Sequence, residues 1–157
     1  MEELLTKTII FKLNDQEYGA NISQILSIEK LQDHDIVSVP QTSAFIKGII
    51  NLRGAVTPII DLRARLGFEM KEVTELTRIL IANVNDIQVG LIVDEATDVI
   101  DIEPEIVEET PDLINDLDHR YLKGVAKIEG RGMLLLLNLD HVLSNDELSE
   151  VKQVVND

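Results

Sequence analysis

Residues 48–67 read GIINLRGAVTPIIDLRARLG. An apolar run, Gly48-Ile49-Ile50, enters a turn at Asn51-Leu52-Arg53-Gly54, and Val56-Thr57-Pro58-Ile59-Ile60 returns from it. β-Branched residues on both sides of a Gly-containing turn predict a β-hairpin. Asp61-Leu62-Arg63-Ala64-Arg65-Leu66 then reads as one or two turns of helix, stopped by Gly67.

This unit recurs. Gly48 to Gly54 matches Gly124 to Gly130, and Ile59-Ile60-Asp61-Leu62 matches Leu136-Leu137-Asn138-Leu139. Upstream, Asn14-Asp15-Gln16-Glu17-Tyr18-Gly19 matches Asn85-Asp86-Ile87-Gln88-Val89-Gly90, with Ile22 on Val93 and Ile28 on Val99. Landmarks repeating in order indicate duplication. One half spans about residues 8–77, the other about 78–143, and residues 144–157 add a helix that opens on the capping box Ser144-Asn145-Asp146-Glu147. Short strands and turns at regular spacing predict a mainly β chain of two small barrels packed together. The barrels need not coincide with the halves, because a terminal strand can cross over.

The remaining elements fit that plan. Residues 8–13 and 78–84 read as strands, each followed by an Asn-Asp turn and a return strand. Asn21 is placed to cap a short helix with Ile22, Ile25 and Leu26 on one face. Residues 101–118 hold eight acids, no bases and two prolines, the composition of a solvated surface loop.

Bulk properties exclude several functions. The chain has 157 residues, 14 Lys and Arg against 29 Asp and Glu, a net charge of −15, and no cysteine. Phosphate backbones would be repelled, so nucleic acid is not an expected partner. Disulfides, thiolate nucleophiles and zinc–thiolate sites are ruled out. Apolar runs reach about five residues, against the roughly 20 a membrane-spanning helix needs. The acidic N-terminus lacks the basic region of a signal peptide. A cytoplasmic chain with no membrane insertion is expected.

Catalytic signatures are also missing. His34, His119 and His141 show no metal-ligand spacing, and no nucleophile elbow or phosphate-binding glycine motif occurs. The 29 acids read as solvated surface, with no pair in an apolar setting. Asp112, Asn115, Asp116 and Asp118 lack the ligand spacing of a calcium loop. A small-ligand or divalent-cation-binding β-barrel is the alternative reading.

Arg53 stands out. Lys47, Arg53, Arg63 and Arg65 face a single acid, Asp61, in residues 47–65, a local reversal of sign in an acidic chain. Such a turn is either ordinary soluble surface or an arginine fork offered to an acidic or amide-rich partner. Ile22, Ile25 and Ile28 pose a similar choice between core and a groove for a partner helix.

The ordered set of Asn51-Leu52-Arg53-Gly54, the following Val56 to Arg63, the Asn14 to Gly19 hairpin and Val93-Asp94 to Asp98-Val99 resembles the CheW-like coupling proteins of bacterial chemotaxis. The resemblance covers about residues 8–150, with residues 45–63 the most specific part. It implies two five-stranded, SH3-like β-barrels on a shared apolar core, with short helices and a C-terminal helix. It implies no catalysis and no cofactor. It also implies an adaptor that couples methyl-accepting chemotaxis receptors, through their cytoplasmic tip, to the regulatory domain of the histidine kinase CheA in membrane-associated receptor arrays. Carried over by motif, Arg53, Gly90 and Val99 are expected on the receptor side. Ile25, Ser27 and Gly48 are expected at the kinase contact, with Ser27 standing where some relatives have an acid. With the chain ending soon after its last helix, a stand-alone coupler is expected rather than a receiver fusion.

Overall fold

The computed structural model describes residues 6–40, 42–69, 71–108 and 121–156. Strands β1 (Thr6–Leu13) and β2 (Gln16–Asn21) form the first hairpin, followed by β3 (Ile25–Lys30). The stretch centred on Arg53 forms hairpin β4 (Ile46–Leu52) and β5 (Ala55–Asp61) and the one-turn helix α1 (Leu62–Arg65). The second half repeats this order with hairpin β6 (Arg78–Val84) and β7 (Ile87–Val93), then β8 (Glu95–Ile102). A two-residue strand β9 (Val107–Glu108), hairpin β10 (Leu122–Ile128) and β11 (Gly132–Leu137), and helix α2 (Asn145–Asn156) complete the order.

The strands form two sheets. One has six strands in the order β8-β1-β2-β11-β10-β9, and the other has five in the order β3-β6-β7-β5-β4. The fold is mainly β with two barrel-like sheets, as the sequence predicts; β9 makes the sixth strand of the first.

Each sheet draws on both halves by a reciprocal exchange. Strand β3 leaves its own half to pair with β6, and β8 returns the exchange by pairing with β1. Two parallel contacts close the pattern, β5 with β7 and β11 with β2. The first sheet therefore takes the two ends of the chain and the second takes its middle.

The duplicated residues occupy matching environments. Asn14 and Asp15 have φ of 52° and 66°, and Asn85 and Asp86 have 50° and 64°. Two successive left-handed residues make the turn whose twist matches that of the strands it joins, and Asn and Asp tolerate it. A Cβ on Gly19 would lie 2.7 Å from Thr8 and 3.1 Å from Leu136, whereas one on Gly90 would lie 2.7 Å from Ile79 and 2.6 Å from Ile59. These neighbours are themselves matched across the repeat. At each glycine a side chain would crowd one neighbour on the antiparallel partner strand and one on the parallel partner.

Three apolar clusters follow from the alternation of strand side chains. Ile79, Ile81, Ile50, Leu52, Ile59 and Ile92 fill the second sheet, and Ile10, Ile102, Ala126, Leu134 and Leu136 fill the first. The opposite faces of the same strands, including Phe11, Leu13, Leu80, Val84 and Leu91, meet in a larger cluster between the sheets. α2 adds Val151 to it, fully buried, with Leu148 and Val154 packed alongside. The capping box forms as expected: Glu147 N–H donates to Ser144 Oγ at 3.2 Å, and Ser144 N–H donates to Glu147 Oε1 at 2.7 Å.

Two expectations are corrected. The helix on Ile22, Ile25 and Leu26 is a single 3-10 turn, Ile22–Gln24, capped by Asn21 through the Ser23 N–H at 2.9 Å. Ile25 and Leu26 already belong to β3, where they face opposite ways. The acidic stretch 101–118 begins in regular structure, since it contains the end of β8, a 3-10 turn at Pro104–Ile106 and β9. Residues 109–118, with the candidate calcium ligands, lie outside the described residues.

Candidate functional site

The β4–β5 hairpin presents Arg53 at its tip. Arg53 has φ of 50° and Gly54 has 88°, so both turn residues are left-handed. Asn51 Oδ1 accepts from the Gly54 N–H at 2.9 Å and closes the turn. The Arg53 side chain is 73% exposed, and its nearest carboxylate is Glu29 of β3, with Nη2 to Oε2 at 3.7 Å.

Glu29 joins several groups. Its other oxygen, Oε1, lies 3.2 Å from His34 Nε2, and both side chains are about four-fifths buried, at 18% and 19% exposure. Ser27, two residues back on the same face of β3, has a buried hydroxyl with no hydrogen bond of standard geometry. Burial alone would raise the Glu29 carboxyl. Interaction with the Ser27 and His34 side chains and the Arg53 charge outweigh it and hold Glu29 below its ordinary value of 4.5.

The basic cluster expected around Arg53 is corrected by burial. Arg63 points inward and is only 5% exposed. Its Nε and Nη2 donate to the two oxygens of the fully buried Asp61, at 2.9 and 3.0 Å, and its Nη1 donates to Asp94 Oδ1 at 3.0 Å. Asp61 also caps α1. Asp94 Oδ2 accepts from the Asn14 N–H at 2.8 Å, so the network ties the Arg53 hairpin of the second sheet to the first turn of the first sheet. The Asp61 hydrogen bond, aided by Asp94 and opposed by burial, pushes the Arg63 guanidinium above its usual range. Arg65 pairs with Glu147 at 3.0 Å. Of the three arginines in the stretch, Arg53 is by far the most exposed, and Arg63 and Arg65 are held by carboxylates of the fold.

The cation-site alternative finds no donor set: among the described residues no three His, Asp or Glu side chains gather into a metal-binding group. No helix among them is long and apolar enough to cross a membrane.

Residues 7–147 match the CheW-like domain. The chain belongs to the CheW-like family. It is 40% identical over 140 residues to the chemotaxis protein CheW of Bacillus subtilis, covering 89% of this chain and 88% of that protein. It is 37% identical over 139 residues to CheW of Rhizobium meliloti, covering 88% of each. Its fold is similar to the crystal structure of the scaffolding protein TtCheW from Thermoanaerobacter tengcongensis, with a TM-score of 0.82 and 31% identity, covering 92% of this chain and 96% of that one. The CheW-like class is one of chemotaxis scaffolds rather than enzymes.

The CheW-like motif positions fall unevenly on the structure. Gly90, Ile25, Ser27 and Gly48 lie on strands of the second sheet and Arg53 on its β4–β5 turn, whereas Val99 lies on β8 of the first. Val99 is 48% exposed, and its repeat partner Ile28 on β3 is 42% exposed, so the two sheet-edge strands present matched apolar residues. Ile25 is half-buried against the central cluster. Gly90 is enclosed between β5 and β6, and Gly48, at φ 144°, sits where a Cβ would run into the Val37 carbonyl. Neither glycine offers a side chain to a partner, so each would act through the packing it permits. Ser27 neighbours Glu29 and through it Arg53, which brings an expected kinase-side residue beside the expected receptor-side arginine.

Glu29 and His34 have no place in the sequence reading of the site. Their signal was weak: alternation on β3 puts Ser27 and Glu29 on one face, but the pairing with Arg53 requires β3 and the β4–β5 turn to meet in space.

Proposed function

We propose that this chain is a cytoplasmic, non-enzymatic adaptor that couples the cytoplasmic tip of methyl-accepting chemotaxis receptors to the regulatory domain of the histidine kinase CheA at receptor arrays. The observation that carries this reading is the solvent-facing Arg53 on a closed turn, beside two arginines neutralised within the fold. An exposed guanidinium on a rigid element offers a fork of donors to carboxylates or backbone carbonyls at little ordering cost from the backbone. Arg53 is assigned to the receptor contact, with Val99 as an exposed apolar contact on the other sheet and Gly90 as a packing position between β5 and β6. Ile25, Ser27 and Gly48 are assigned to the kinase side, where β3 is a sheet edge and can accept a partner surface or strand.

Affinity capture with a receptor cytoplasmic fragment and, separately, a CheA regulatory domain tests the assignment. The unmodified chain binds both. Arg53→Ala keeps the fold and the kinase domain but loses receptor affinity by on the order of tenfold or more, the scale of an interface anchor. Full receptor binding by Arg53→Ala removes that residue's role. Failure of the unmodified chain to bind either partner overturns the coupling function.

A further inference from the structure

We propose that the inner face of the first sheet holds a small-molecule site, whose ligand is a compact, uncharged apolar molecule carrying one hydrogen-bond acceptor. Arg53 belongs to the other sheet, and the proposal does not rest on the coupling function. A cavity of about 270 Å³ lies against β1, β2, β8 and β11, with Thr8, Gly19, Asn21, Ile102 and Leu136 among its walls and Lys123 of β10 beside them. Thr8 is paired with Asn21 across β1 and β2, and Thr6 with Ile102 across β1 and β8, so these residues share the face that carries the cluster of Ile10, Leu134 and Leu136.

Matched positions in the second sheet supply a control. In the register that aligns Gly19 with Gly90, Thr8 meets Ile79 and Asn21 meets Ile92; in the register that aligns Gly124 with Gly48, Ala126 meets Ile50. All three isoleucines are buried together in the cluster of the second sheet. The architecture therefore does not require a cavity. Threonine, asparagine and alanine in place of three isoleucines leave out the methyl groups that would fill it. An apolar cavity of about 150 Å³ is enough to admit benzene, so this one has room for a single ring with a short substituent.

The polar groups set the head of the ligand. Thr8 Oγ1 donates to the Thr6 carbonyl at 3.2 Å, and Asn21 Oδ1 accepts from the Ser23 N–H at 2.9 Å. Those bonds leave the Asn21 amide nitrogen as a donor. The exposed Lys123 adds a second and forms no ion pair among the described residues. Two donors call for an acceptor. Glu103, Glu105 and Glu108 are exposed beside Pro104 and Val107, which also line the cavity. Their charge offsets that of Lys123, so a carboxylate gains little there and a neutral carbonyl fits better. A mostly apolar hollow with a few placed polar groups, in the mouth of a small barrel, is the form that small-molecule sites take.

The test is a heteronuclear NMR titration of the full chain with acetophenone, one ring bearing a carbonyl. Saturable shifts appear at the amides of Gly19, Asn21 and Leu136, with a Kd below about 1 mM. The matched amides of Gly90, Ile92 and Ile59 stay in place. Benzylamine, of similar size but with a protonated donor for a head, binds at least about fivefold more weakly, although the glutamates at the mouth would attract it. Thr8→Ile installs the side chain of the matched position and abolishes the saturable shifts. Leu136→Phe fills the cavity from β11 and does the same, so the test survives if one variant fails to fold, which circular-dichroism melts report. No saturable shift with acetophenone overturns the proposal, as do shifts retained by the folded filling variants, equal shifts at Gly90 and Ile92, or tighter binding of benzylamine.

Discussion

Arg63→Ala distinguishes two arginines that look alike in sequence. The substitution leaves Asp61, fully buried, and Asp94, 18% exposed, without the guanidinium that satisfies three of their oxygens. Removing one partner of a buried ion pair costs about 3–5 kcal/mol, because the remaining charge stays desolvated. Against a typical total of about 5–15 kcal/mol, that is a large share. Urea dependence for a domain of this size is about 2 kcal/mol per molar. Dividing about 4 by about 2, the unfolding midpoint falls by about 2 M. Equilibrium urea melts followed by circular dichroism measure the shift directly. Arg53→Ala, measured beside it, moves the midpoint by no more than about 0.5 M, because an exposed pair is worth about 1 kcal/mol at most. A triple variant, Arg63→Met with Asp61→Asn and Asp94→Asn, keeps an Asn cap on α1 and removes the stranded charges. It recovers at least half of the loss. A midpoint shift below about 0.5 M for Arg63→Ala refutes the assignment of Arg63 to the junction between the sheets.

Three further outcomes are expected. Gly90→Ala forces a Cβ to within 2.6 Å of Ile59 and 2.7 Å of Ile79; the overpacking costs about 1–3 kcal/mol and lowers the melting temperature by roughly 2–12 °C. Receptor affinity falls with it only to the extent that the second sheet distorts, which paired calorimetric melts and binding curves separate. Glu29 has its carboxyl value lowered by folding, so its stabilisation is present above 4.5 and is lost as pH falls below that value. Urea melts of Glu29→Gln accordingly show a smaller stability loss on acidification than the unmodified chain. Glu147→Ala removes one arm of the capping box and the Arg65 pair; about 1 kcal/mol is lost, visible as earlier melting with unchanged kinase-domain capture.

Local patterns carried most of the elements. The Asn-Asp turns, the β-branched run of β6 and the capping box at Ser144 each depend on residues a few positions apart, and each forms as written. Ile22, Ile25 and Leu26 misled because i, i+3, i+4 spacing over so short a run also fits a 3-10 turn leading into a strand. The bulge between Ile25 and Ser27 resets the inward face there. Arg63 misled for a different reason. Its charge reads as surface until Asp94, 31 residues away, folds against it. The same holds for Glu29 and His34 at Arg53. The recurring landmarks were legible, and so was the possibility that strands cross between the stretches that carry them. Which strands cross was not, because β3 and β8 carry the same propensities in either sheet.

The exchange of β3 and β8 has a consequence for a chain made from its N-terminus. The second sheet is contiguous, so its last strand, β7, is complete once residue 93 has been made. The first hairpin, although synthesised earliest, must wait for β8 and for β11, which ends at residue 137. Its inward residues, Ile9, Phe11 and Leu13, are exposed to the cell for that interval unless the finished sheet lends its outer face. Vectorial synthesis thus favours one order of assembly: the Arg53 sheet first, then the opening hairpin laid onto it, and last the strands that seal the other barrel.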